Sequence, residues 1–276
     1  MKTFISFIRS LVKATKENEL IGCANELTYK LCMAFFPFII FLMSLLSFLN
    51  ISYDYFMDDL MKSLPQSVSA LTDLVVGEVF DKANAGVLSG SLIAAVVTAS
   101  SGFNAVIRGI TKAYGEKEER NFVTVRIIGF VLVLVLAFAI IASISILIFG
   151  DTIYNSLIKN FGISPWLTFI LSVSGTLVLM VILLFTIIFI YKFATCKKVT
   201  IQETFPGAAI TLIVWLGSSK LFNVYVNNFS RYSMVYGSIA GVIILMLWLN
   251  IISIVLLIGG EVNALLMPEK ERTRGI

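Results

Sequence analysis

Histidine is absent from the 276-residue chain, and with it go the commonest metal ligand and the usual general base near neutral pH. The three cysteines, Cys23, Cys32 and Cys196, show neither C-x-x-C nor zinc-ligand spacing, so they are expected as free thiols. No G-x-x-x-x-G-K-[ST] loop is present, so any driving force must come from a gradient or a partner. Charge is scarce as well, at 14% of residues, against roughly a quarter in ordinary soluble domains. No nucleophile stands beside a base. The residues therefore point away from an enzyme and imply neither a cofactor nor a metal.

What fills the chain is apolar side chain, at 58% of the residues. The stretch Tyr232 to Gly260 contains no Asp, Glu, Lys or Arg and ends on Glu261. A helix rises about 1.5 Å per residue, so roughly 20 such residues cross the hydrocarbon of a bilayer. Gaps between charges predict six spans: about Leu31–Leu49, Gly86–Ile107, Ile127–Phe149, a segment within Trp166–Tyr191, a short one at about Phe205–Ser219, and Tyr232–Gly260. The fold class is thus all-α, a polytopic membrane protein with one integral membrane domain over residues 1–276.

Of the 21 Lys and Arg residues, only Lys62, Lys82, Lys159, Lys220 and Arg231 fall on one side of these spans. The other sixteen share the opposite side, which places both termini in the cytoplasm. Residues 1–26 are expected as a cytoplasmic amphipathic segment. Phe4, Ile5, Ile8, Leu11 and Val12 share a helical face, with Lys2, Arg9, Lys13 and Lys16 largely elsewhere. That pattern suits a basic helix lying on an anionic leaflet, or one packed on other helices. Arg9 interrupts the apolar part and no small-residue cleavage site follows, unlike a signal peptide. The extracytoplasmic loop 50–85 carries two patterned sets, Tyr53 to Leu64 and Val68 to Val79, expected as short amphipathic helices. Residues 265–276 form the cytoplasmic tail.

Small and helix-breaking residues mark hinges or close packing. Gly86 and Gly90 open the second span and Gly237 and Gly241 the sixth, both as G-x-x-x-G. Pro37 interrupts the first span. Pro206 and Gly207 interrupt the fifth, where Thr200-x-x-Glu203 fits a capping box and a start at Thr204 is the alternative. Charged and polar groups gather where spans meet the cytoplasm: Tyr29 and Lys30 (with Glu26 one turn earlier), Asn104 and Arg108, Glu261 and Asn263. Ionisable groups at membrane depth require partners or water, so Glu261 is expected to pair with Arg108 or Lys30.

Several segments together resemble the YihY / virulence factor BrkB family. They are Leu27-Thr28-Tyr29 through Phe36-Pro37; Ser100-Ser101-Gly102, Arg108, Ala113-Tyr114-Gly115, Glu119-Arg120 and Arg126; and Pro206-Gly207-Ala208, Trp215, Phe222, Tyr225, Tyr236-Gly237-Ser238, Leu247-Trp248 and Gly260 to Ala264. The resemblance covers about Leu27 to Ala264. It implies a bacterial inner-membrane protein of about six helices without an established general activity. An older ribonuclease label attached to the family finds no support here, since nothing in the chain suits nucleic acid.

Two functions fit these residues. One is a transporter or flippase-like protein for an anionic or lipid-linked envelope solute, working among membrane lipids, with Arg108 and Lys30 attracting the anion. The other is a non-transporting envelope accessory or scaffold protein, favoured by the lack of charge deep in any span.

Overall fold

A computed structural model describes residues 2–48, 85–161, 165–228 and 238–267, and is all-helical over them. Seven helices follow in order: α1 (Lys2–Glu17), α2 (Leu20–Phe48), α3 (Ala85–Ala113), α4 (Phe122–Phe161), α5 (Pro165–Ala194), α6 (Ile201–Asn228) and α7 (Ser238–Leu266). Five of them, α3 to α7, contain stretches long and apolar enough to cross a bilayer. The first expected span falls in the second half of α2, which is outside that set. The expected helices of loop 50–85, the tail beyond Met267, and Gly237 lie outside the described residues.

Helices α2 to α6 are longer than the gaps between charges implied, and α7 runs past Glu261 to Leu266; caps and not charge set the ends seen at α3, α4 and α6. The short fifth span is a 28-residue helix that runs through Pro206 and Gly207. Its start is the capping box. The Thr200 amide donates to Glu203 Oε2 at 2.6 Å, and the Glu203 amide donates to Thr200 Oγ1 at 3.4 Å. A start at Thr204 is thereby excluded. Helix α4 opens on Asn121, whose Oδ1 accepts from the Thr124 amide at 2.7 Å, and it continues past Phe149 to Phe161. Helix α3 ends where Gly115 turns left-handed (φ 71°), with the Glu116 amide reaching back to Thr111 O.

Each of α2 to α6 packs on the next helix in the chain, and α7 packs on both α6 and α2, closing the ring. Helix α3 also touches α5 and α7, so it serves as an internal floor. The buried core runs through Leu20, Ala24, Ala105, Ile107, Ile110, Leu132, Tyr191, Ala208 and Leu257. In lipid, such contacts rely on close surface fit more than on apolar burial. The tightest lies between α6 and α7. A methyl group added to Gly207 would strike Gly259 O and the Asn263 side chain, and one added to Gly259 would strike Thr211 Oγ1 and the Tyr191 hydroxyl. Gly260 abuts Ile110 of α3.

Of the expected G-x-x-x-G pairs, Gly241 is buried, whereas Gly86 and Gly90 are exposed and an added methyl at Gly90 meets open space. Tight packing at Gly90 is therefore not found; the side of α3 that carries it turns outward. Helix α2 continues through Pro37 without a break. Gly259→Ala and Gly207→Ala should each cost about 1–3 kcal/mol by overpacking, while Gly90→Ala stays within about 0.5 kcal/mol of the parent. Thermal unfolding of the detergent-solubilised protein reads the difference.

Candidate functional site

The charged residues congregate at the end of the bundle where α1 meets α2, here called the charged end. Asn18 and Glu19 alone separate these helices, and Glu19 takes a left-handed backbone conformation (φ 54°). A non-glycine residue pays steric energy there, roughly 1–2 kcal/mol. Both elbow residues make contacts with other helices. Glu19 binds Lys112 Nζ of α3 at 2.8 Å, and Asn18 Nδ2 donates to Glu261 Oε2 of α7 at 2.9 Å. The Lys112 bond holds the Glu19 carboxyl below its ordinary value.

The expected attraction of Glu261 for Arg108 or Lys30 is met differently. Glu26, one turn before Lys30 on α2, holds both cations: Lys30 Nζ lies 2.7 Å from its Oε1, and Arg108 Nη2 contacts its Oε2. Lys30 also donates to Ser101 O at 3.0 Å. Glu26 wins because α2 packs directly on α3 and presents its carboxylate beside Arg108, whereas Glu261 faces the interior. The six site candidates consequently divide. Tyr29, Lys30 and Arg108 sit on the outer flank of α2 and α3, with the Arg108 side chain 46% exposed. Asn104 lies one turn deeper on α3, and its Oδ1 finds no hydrogen-bond partner.

Glu261 and Asn263 are both buried in α7. The Asn263 amide is bound to the backbone of α6. It accepts from the Gly207 amide at 2.6 Å and donates to Thr204 O at 3.1 Å. Proline 206 removes one amide from the α6 ladder and crowds the preceding turn. Asn263 supplies the acceptor and donor that the disturbed turn needs. Sequence reasoning placed this residue in a transport site; its contacts are those of a helix splint.

Three further polar features escaped the sequence reading. The Tyr191 hydroxyl, in the core, binds Thr211 Oγ1 at 2.6 Å and Leu256 O at 2.7 Å, joining α5, α6 and α7. Asn250 Nδ2 reaches Asn25 Oδ1 and Thr28 Oγ1 of α2. Arg120, from the α3–α4 loop, donates to Phe193 O and Ala194 O, the free carbonyls at the end of α5, while Glu118 holds its other edge at 2.7 Å. In the sequence Tyr191 stood out only as the end of the fourth expected span, and Thr28 and Arg120 only as parts of the family resemblance.

Two measurements check this geometry. Glu26→Arg and Arg108→Glu should each destabilise the protein by about 1 kcal/mol, the upper range for partly exposed pairs, and the double swap should recover most of the loss in thermal unfolding. Arg120 holds the Glu118 carboxyl below its usual 4.5, so the clamp contributes stability above that value and loses it as pH falls through the lowered value. Hydrogen exchange over residues 193–200 should therefore accelerate, relative to the intrinsic rate, in acid below about pH 4.5, with a flat profile in Glu118→Gln.

The chain matches the family model described as "Virulence factor BrkB" over residues 11–275. It is 32% identical over 267 residues to the ribonuclease-like protein YfkH of Bacillus subtilis, covering 97% of both chains. It is 32% identical over 124 residues to the UPF0761 membrane protein VV0203 of Vibrio vulnificus, covering 45% of this chain and 34% of that one. It is 35% identical over 77 residues to a UPF0761 membrane protein of Vibrio cholerae, covering 28% and 26%. No solved structure matches. With the family model covering nearly its whole length, the chain belongs to the virulence factor BrkB family of membrane proteins.

Proposed function

We propose that the protein is a transporter or flippase-like carrier for an anionic or lipid-linked envelope solute and has no enzymatic activity. In this reading it resides in the bacterial cytoplasmic membrane with six spans, the second half of α2 being the first. Both termini and the charged end lie in the cytoplasm, and residues 50–85 outside. The supporting observation is the open flank bearing Glu26, Lys30 and Arg108. Ionisable groups at this level are costly in hydrocarbon unless hydrated or met by polar partners, so an outward-facing set implies traffic with headgroups or solutes. The three side chains together carry one net positive charge, which suits an anion.

The nearly continuous positive-inside bias supports the orientation. The ribonuclease-like name of the Bacillus relative stays with that protein; this chain has no histidine, and no cluster of potential metal ligands lies among the described residues. A second reading, an envelope scaffold without transport, draws on the close packing around Glu261, Gly207 and Gly259.

Reconstitution separates the two. Proteoliposomes carrying the protein should translocate a fluorescent anionic lipid, read by quenching of the outer leaflet, and Arg108→Gln should slow this about tenfold, equivalent to losing one charge-assisted contact. Rates equal to protein-free vesicles would reject transport and leave the scaffold.

A further inference from the structure

One exposed stripe of α3 runs the length of the charged half of the bundle. Its members, Ile93, Val97, Ser101, Asn104, Arg108 and Lys112, recur at three or four residues and so share a face. They are exposed or half-exposed throughout. Neighbouring residues of α3 are occupied: Gly102 meets Lys30 and Leu27 of α2, Gly109 meets Leu257 of α7 and Cys23 of α2, and Ser100, Phe103 and the Asn104 side-chain oxygen meet Gly129 of α4. The stripe is therefore the floor of an exposed strip between α2 and α4, here called the channel, with Lys30 of α2 bonded to Ser101 O at one edge and the Asn104 side-chain oxygen buried against α4 at the other.

The chemistry along this floor is graded. Ile93 and Val97 are apolar, Ser101 and Asn104 are neutral and polar, and Arg108 and Lys112 are cationic, in that order towards the charged end. Helix α2 repeats the order on its outward face, from Met33 through Tyr29 to Asn25 and Glu26. Beyond them Gly22 leaves a notch, since nothing lies within 4 Å of the place a side chain would start. About 1.5 Å of rise per residue puts Arg108 roughly 16 Å from Val97 along the helix, comparable to the reach from upper acyl chain through glycerol to phosphate.

We infer that this channel on α3 binds an anionic phospholipid of the leaflet at the charged end, its phosphate between Arg108 and Lys112 and its acyl chains along Val97 and Ile93. A free phosphate needs only the cations. The apolar and neutral steps that continue in register suit an attached glycerol and chains. Basic pockets between transmembrane helices on the cytoplasmic side recognise anionic headgroups by this combination of charge and depth. Glu26 and Glu19 engage the two cations in this conformation, and Arg108 retains further N–H donors beyond the one on Glu26. The opposing carboxylates set a threshold that favours lipids with net negative charge over zwitterionic ones. A second copy of this chain fits the channel less well, because the face would meet its own net positive charge.

The inference rests on the transport reading for its topology and names the ligand class of the same polar flank. Its test is binding, measured apart from movement. The full-length protein, stripped of lipid in a neutral detergent, is offered phosphatidylglycerol, phosphatidylcholine and glycerol 3-phosphate, and bound species are counted by native mass spectrometry. One phosphatidylglycerol should be retained about tenfold over phosphatidylcholine: each Lys or Arg at an anionic surface contributes about a factor of five, and Glu26 and Glu19 offset part of the two. Arg108→Gln with Lys112→Gln should abolish the preference, and Lys220→Gln on α6 should leave it intact. If the double variant does not fold, Val97→Asn should weaken retention without altering charge.

Equal retention of the two lipids, or an unchanged preference in the double variant, overturns the site. Full competition by glycerol 3-phosphate overturns the lipid assignment in favour of a soluble phosphate ligand. Selective binding with no translocation leaves the site standing and rejects transport; Arg108-dependent translocation without selective binding does the reverse.

Discussion

The approach of α6 to α7 is the constraint on which the bundle depends. Backbone meets backbone there, at Gly207 and Gly259, with no room for a methyl group on either. Such closeness would normally suit two regular helices, yet α6 carries Pro206 one residue before the contact. The disturbed turn would leave a polar amide facing an apolar interior, a cost of a few kcal/mol. Asn263 removes that cost from the partner helix, and so the proline, the glycine and the asparagine form one interlocked unit. Tyr191 extends the unit to α5 through Thr211 and Leu256 O.

This arrangement separates two kinds of polar residue that look alike in the sequence. Asn263 and Tyr191 face backbone and serve the fold. Arg108, Tyr29 and Lys112 stand on the exposed flank, Arg108 bound to Glu26 and Lys112 to Glu19. Glu261 is buried with its carboxylate under Asn18, so the α1–α2 elbow lies over it. The division follows from which flank of each helix its neighbours occupy, and this is set by the closing of α7 on α2.

The all-helical class and the apolar segments were legible because the bilayer leaves few choices for an uncharged run. Helix ends were less so. The charge gap around Phe205–Ser219 suggested a short span, but Thr200 and Glu203 start the helix earlier and Lys220 stays within it. The Thr200 capping box was legible as one of two options, since its signature is local. Which cations Glu26 would hold was not, because a four-residue spacing predicts Lys30 but nothing local predicts Arg108, 82 positions away. Gly259 likewise reveals itself only when Tyr191 and Thr211 arrive from other helices. Gly90 shows the converse, a promising spacing whose side of the helix points outward.

The left-handed bend at Glu19 has a mechanical consequence. It stops α1 and α2 from merging into one straight rod, so the amino-terminal cylinder is held at an angle like a lever on a short pivot. Because adjacent pivot residues bind α7 and α3 separately, the amino-terminal helix is tied both to the closing stave of the barrel and to its floor.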